Sequence, residues 1–324
     1  DAVDRRSFLE LMGASVALAG LGACTAQPEE KILPFARRPE STIPGKPLFY
    51  ATSMAQGGSA VGLLVESHEG RPTKIEGNPL HPSSLGATDI QSQASVLGLY
   101  DPNRSQTVKK AGRIDSWDGL LTELKPILDR QRAAQGAGLR VVSPTISSPT
   151  LLAQRKQLLE AFPEADWVEY EPVNEDAQHE GLRLAYGREL RPHFDLEPAR
   201  VVVSFESELL ASGAGHIAYA RQFARRRKAG RDGDTQEMNR LYALESTPTL
   251  TGASADHRLV LAPAELERFA EALARALGVV ETSGDFEAPA AWRDWLSAIE
   301  QDLRANAGQS LVVAGREQSA RCHA

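Results

Sequence analysis

The chain has 324 residues, enough for two or three domains that each bury a core. A net charge of −7, from 36 Lys and Arg against 43 Asp and Glu, argues against a nucleic-acid partner. The two cysteines, Cys24 and Cys322, lie too far apart for a disulfide framework or zinc-ligand spacing, and no two of the seven histidines stand at the i, i+4 spacing of a helical metal site.

The first 24 residues read as a signal or anchor segment. Asp4-Arg5-Arg6-Ser7-Phe8-Leu9-Glu10 resembles a twin-arginine export motif, with Asp4 and Glu10 in place of the usual Ser or Thr and Lys. The apolar run 11–23 falls short of the roughly 20 residues that span a bilayer and suits a signal-peptide core. Leu21-Gly22-Ala23-Cys24 resembles a lipobox, whose processing would remove residues 1–23 and lipidate Cys24. The alternative is an uncleaved helix over 7–23 with Cys24 as a small buried residue. Residues 25–46, rich in Pro, Glu and Arg, read as an extended linker in which Arg37-Arg38 is solvated.

Residues 47–111 read as a β-rich domain. Three short β runs, 48–52, 60–67 and 72–76, predict a small antiparallel meander, with His68-Glu69-Gly70-Arg71 turning the second into the third. The stretch Gly77-Asn78-Pro79-Leu80-His81-Pro82 is too broken for helix or strand. Gly62-Leu63-Leu64-Val65-Glu66, then Gly70-Arg71-Pro72-Thr73-Lys74-Ile75-Glu76 and that broken stretch, followed by Leu99-Tyr100-Asp101-Pro102-Asn103-Arg104, resemble in order the N-terminal domain of the molybdopterin oxidoreductases. The resemblance implies a molybdopterin-oxidoreductase-like α/β fold. Catalytic members usually hold a [4Fe–4S] cluster in this meander with four Cys thiolates. Here Ala51-Thr52-Ser53-Met54-Ala55-Gln56-Gly57-Gly58 stands where the first of those cysteines would fall.

From 112 to 278 strands and helices alternate, which predicts a parallel sheet covered on both faces. Ser116 caps a helix striped by Trp117, Leu120, Leu121, Leu124, Ile127 and Leu128, in which Pro126 predicts a kink or an early end. A buried strand at 139–143 follows, then a helix opened by Ser148 and Pro149, a strand at 167–170, and a helix over 176–186 closed by Gly187. Residues 200–205 are the strongest strand. A helix then runs from about 216 to 228, its Arg225-Arg226-Arg227-Lys228 end reading as a solvated face. Strands at 241–244 and 257–261 precede an amphipathic helix from Pro263 to Gly278. Residues 279–324 read as the start of a further α/β unit. A linker over 279–289 leads to a helix striped by Trp292, Trp295, Leu296, Ile299 and Leu303 and to a strand at 311. Only nine residues remain after Gly315, so either the native polypeptide is expected to continue or a partner chain completes this unit.

Ligands of such sheets bind at the loops beyond the carboxyl ends of the strands. Two loops are candidates. In 204–208, the resemblance places a nucleotide-contacting Gly and Asp; Phe205 replaces the compact Gly, and Glu206 remains able to accept from a ribose hydroxyl. In 245–257, Asp256 and the hydroxyls of a segment similar to one branch of the family either bind a ligand or hold the loop through Ser/Thr and Asx turns. That branch is the large B subunit of alternative complex III, a bacterial quinol-oxidising membrane complex.

The resemblance implies a non-catalytic scaffold beside heme-bearing and quinol-binding membrane subunits, on the periplasmic face of the inner membrane. Iron–sulfur clusters are then expected in a separate region or chain, with no cofactor in this portion and no molybdopterin. The alternative is part of a working molybdenum enzyme similar to polysulfide or thiosulfate reductases. No residue takes a catalytic or metal-binding role in this reading.

Overall fold

The computed structural model describes residues 42–56, 58–227, 238–280 and 288–324. The export-like segment with Cys24, most of the 25–46 linker with Arg37-Arg38, Lys228 and residues 281–287 lie outside the described residues. The chain divides between Lys46 and Pro47 into two compact units. In the first, the Lys46 amide donates to the Ile43 carbonyl (3.0 Å) and closes a turn. The second holds all the regular secondary structure of the described residues.

That unit opens with an antiparallel meander of β1 (Leu48–Gln56), β2 (Ser59–His68) and β3 (Arg71–Gly77), paired in that order. Glu69 and Gly70 both have positive φ (53° and 85°), the conformation of a two-residue type I′ hairpin turn whose twist matches the flanking strands. The strands outrun the apolar runs 48–52, 60–67 and 72–76 because ladder bonding continues past the residues that pack. Val61, Leu63 and Ile75 form the meander's small core. A short helix α1 (Ile90–Ala94), capped by Asp89 accepting from the Ser92 amide (2.6 Å), packs beside it. A hairpin of β4 (Val108–Lys110) and β5 (Arg113–Asp115), not expected from the sequence, follows.

Next come α2 (Trp117–Ala133), β6 (Arg140–Ser143), α3 (Pro149–Ala161), β7 (Asp166–Glu169) and α4 (Asp176–Tyr186). Ser116 and Ser148 cap as expected, and Gly187 ends α4 in the left-handed conformation. Two expectations fail here, and of the two outcomes expected at Pro126 the early end does not occur. The helix of α2 runs through Pro126 to Ala133; at an exposed position, water can take up the carbonyl that the proline leaves free. The strand expected to be buried at 139–143 is largely open, with Val142 68% exposed. Finally, β6 pairs in parallel with β7 alone, so the alternating segment makes two separate parallel sheets rather than one. Neither α2 nor α3 buries a residue.

The main sheet contains β8 (Val201–Phe205), β9 (Arg240–Glu245), β10 (His257–Val260) and β11 (Ser310–Ala314), all parallel, in the order β10-β9-β8-β11. Its helices are α5 (His216–Arg225), α6 (Leu250–Ala253), α7 (Pro263–Leu277), α8 (Arg293–Ala305) and the single turn α9 (Ala320–His323). The segment from 279 thus enters the same sheet as β8. Side chains alternate across the pleat. Val201, Val203 and Phe205 meet Leu266, Phe269 and Leu273 of α7 and Ile299 of α8. Val202 and Leu241 meet Tyr219 and Phe223 of α5 on the other face. Each of these fully buried side chains contributes about 1.5–3 kcal/mol of transfer free energy.

The basic end of α5 is partly solvated, with Arg225 exposed, but each of its described arginines is bonded. Arg225 pairs with Glu197 (2.8 Å), Arg226 donates to the Glu197 carbonyl (2.6 Å), and Arg227 grips Asp256 and lies 4.4 Å over the Phe223 ring. These bonds fasten α5 to the segments that lead into β8 and β10. Among the described residues, no helix is long and apolar enough to cross a membrane.

Candidate functional site

Strand order reverses at β8. The chain steps to β9 and β10 on one side and returns to β11 on the other, which opens a crevice at the carboxyl ends of β8 and β11. A cavity of about 480 Å³ lies there, and Glu206, Glu208, Gly213, His179, Arg191 and Arg316 are among its walls. A second cavity of about 580 Å³ shares His179, Arg191, Gly213 and Arg316 with it.

Glu206 sits where the chain leaves β8, and its φ of 53° is a value that favours glycine. The conformation is held from several sides. The Glu206 amide donates to the Leu244 carbonyl and the Gly315 amide to the Phe205 carbonyl, both at 2.8 Å. A Cβ on Gly315 would overlap the Glu206 carbonyl, so only glycine permits this approach of the loop after β11. The Glu206 carboxylate accepts from the Ser246 amide (3.3 Å), the Ser246 hydroxyl and the Gln318 side-chain amide (3.1 Å). It therefore ties together the loops that follow β8, β9 and β11. The Phe205 side chain is buried in the core below.

Asp256 lies at the opposite end of the sheet. It precedes β10, accepts from the Leu241 amide (2.8 Å) at the start of β9, and receives Arg227 at both oxygens. Burial pushes its carboxyl up, but the Arg227 bond, the Leu241 amide and the Arg227 charge outweigh it, and the group is held below the usual carboxylate range. The structure thus does not bring the two candidate residues together. Asp256 closes the amino end of the sheet, away from the crevice. Its depressed ionisation contributes stability above the ordinary carboxylate range, about 3.9, and loses it as pH falls through the lower folded value. Asp256→Asn is accordingly expected to flatten the acid limb of a denaturation-versus-pH curve; an unchanged limb would refute the role.

Glu245, only 2% exposed, ends β9 and pairs with Arg258 of the neighbouring β10. Thr249 donates to the same carboxylate and also caps α6 by accepting from the Gly252 amide (2.9 Å). A Cβ on Gly252 would overlap the Glu245 carboxylate. Glu208 accepts from the Thr251 amide (3.4 Å). Of the hydroxyls of the 245–257 loop, those of Thr249 and Ser254 bond within the loop, that of Ser246 bonds to Glu206, and that of Thr251 accepts from the Leu210 amide (3.3 Å).

Sequence reading missed Arg191 and Arg316, which have no hydrogen-bond or ion-pair partner among the described residues. Both sit in irregular segments with no periodicity to mark them. Four carboxylates, Glu175, Glu206, Glu208 and Glu317, line the same crevice, so its field is mixed. A pyrophosphate would face those four acids, with the Glu206 carboxylate already bonded, and the residues present do not fit it.

An iron–sulfur cluster fits no better. The described part of β1 offers Thr52, Ser53, Met54 and Gln56. Cys322 is on α9, its thiol pushed up to about 11 by burial first and by Glu267 second. Among the described residues no group of three or more His, Cys, Asp or Glu is placed to hold a metal ion. No protein-family model matches the chain, and no curated protein matches it.

Proposed function

We propose that this chain is a scaffold portion, without an active site of its own, of a membrane-associated respiratory electron-transfer complex similar to the quinol-oxidising alternative complex III. Its fold in this reading is molybdopterin-oxidoreductase-like, as the ordered motif from Gly62 to Pro82 suggests. The non-catalytic character rests on one observation. At the switch point, where such a sheet would present open backbone to a ligand, the Glu206 carboxylate is bonded to Ser246 and Gln318.

Membership of an assembly is supported by unpartnered apolar side chains. Trp117, Leu121, Leu124 and Leu128 on α2 are all exposed, as are Val142 and Val168 on the β6–β7 pair. Heme-bearing and quinol-binding membrane subunits are the proposed partners, with iron–sulfur clusters in a separate region or chain. Export by the twin-arginine route to the periplasmic face completes the proposal, with Cys24 as a lipidation candidate. The second reading, part of an active molybdenum oxidoreductase, is favoured by the unpaired Arg191 and Arg316 in the crevice.

Metal and pterin content of the natively purified polypeptide separates the two. Iron and heme in the co-purifying assembly with no molybdenum is the expected result. Near-stoichiometric molybdenum with pterin fluorescence would overturn the scaffold reading.

A further inference from the structure

α5 joins the two lobes of the unit. Tyr219 and Phe223 pack on the main sheet, while Ile217 enters the meander core and Arg221 donates to the Leu85 carbonyl (2.5 Å). Its first residue, His216, is buried at the junction, with its side chain 9% exposed. Nδ1 lies 2.7 Å from the Gly213 carbonyl, an acceptor only, so Nδ1 carries a proton. In the neutral ring Nε2 is then a bare acceptor. It has no hydrogen-bond partner, and 3.8 Å away stands the Asp89 carboxylate, also an acceptor.

Asp89 is fixed on the meander side. It caps α1 through Ser92, and Gln56 of β1 donates to it (3.1 Å). Among the described residues Asp89 is the one carboxylate within 4 Å of the His216 ring nitrogens, and the facing Gln56 and Gly213 are uncharged.

We propose that His216 and Asp89 form a proton-operated latch between the meander and the parallel sheet. A proton on Nε2 turns two opposed acceptors into a donor and an acceptor. A shift of about 1 Å then makes a charge-assisted hydrogen bond of roughly 2.8 Å. The latch is closed while the imidazole is protonated and opens over the pH interval in which that proton leaves. Asp89 stays ionised through that interval. Burial pushes its carboxyl up, but the Ser92 amide, Gln56, the Ser92 hydroxyl and His216 together hold it below the usual range.

The test is ¹⁵N NMR of the histidine rings in the full chain, with amide exchange at Ser92 and Ile217 followed across the imidazole range. On acidification, Nδ1 is expected to stay protonated while Nε2 gains a proton. Exchange corrected for its intrinsic rate should slow in step by about tenfold, the scale of one hydrogen bond to a charged group. His216→Gln and Asp89→Asn are each expected to abolish this response. Protection that does not change as the wild-type ring titrates would overturn the latch, and so would the same response in Asp89→Asn. The wild-type titration decides the matter even if a variant fails to fold.

Discussion

Replacing Phe269 with alanine is expected to destabilise the protein by about 3–5 kcal/mol, the cost of removing a fully enclosed aromatic side chain and leaving a cavity. Phe269 is 0% exposed on the inner face of α7, between the Phe205 ring (centroids 6.3 Å apart) and the Trp292 ring (5.4 Å), both tilted against it by just over 50°. Such tilted aromatic contacts add to the area term. The effect should reach the crevice, because Phe205 is the residue from which Glu206 turns out of β8. With no ring beneath Phe205, the amide of Glu206, bonded to the Leu244 carbonyl, is expected to lose exchange protection along with the global drop. Phe269→Leu, which fills most of the space, should cost much less. Urea denaturation of the two variants checks the order, and a loss under about 1 kcal/mol in Phe269→Ala would contradict this packing.

How much could be read from the sequence follows the range of the forces concerned. The meander, the cap residues Ser116 and Ser148, the left-handed stops Gly187 and Gly278, and the strand β8 were legible because turn chemistry, capping and local apolar patterning act over a few residues. The stripe from Trp117 to Leu128 shows the limit. Helical spacing says which side chains share a face, but not whether anything covers that face, and here Trp117 is 71% exposed. The same holds for β6 and β7. Their composition announces strands, but which sheet they join is decided by pairings far away in the chain.

The site was legible in part. Glu206 was legible as the residue following the strongest strand, but its bonds to Ser246 and Gln318 span 40 and 112 residues and leave no local mark. The reading of Asp256 stayed open between binding a ligand and holding its loop, because the sequence does not tell that this residue lies at the amino end of the sheet. Arg225–Arg227 read as a solvated run because their partners Glu197 and Asp256 come from other elements. Glu245 did leave a signal. It continues the apolar strand Leu241–Leu244 without a break, and a cation, Arg258, occurs in the next strand. An acid in line with a buried strand needs such a partner.

That pair yields the second large effect. Arg258→Met is expected to cost about 3–5 kcal/mol, because it leaves the Glu245 carboxylate buried without its counter-charge. The Thr249 hydroxyl remains as a donor, but one neutral bond does not offset the desolvation of a full charge. Adding Glu245→Gln to Arg258→Met should recover most of the stability, since the pair is held by mutual need rather than by a large net gain. A double variant as unstable as Arg258→Met alone would locate the cost in lost packing of the arginine stem instead of in the carboxylate. The outcome also bears on the proposed role. Glu245 backs the 246–256 loop directly behind the Ser246 contact to Glu206. A stability gain on neutralising both charges would mean that the ion pair is kept to fix the geometry of that crevice wall, at a cost in stability.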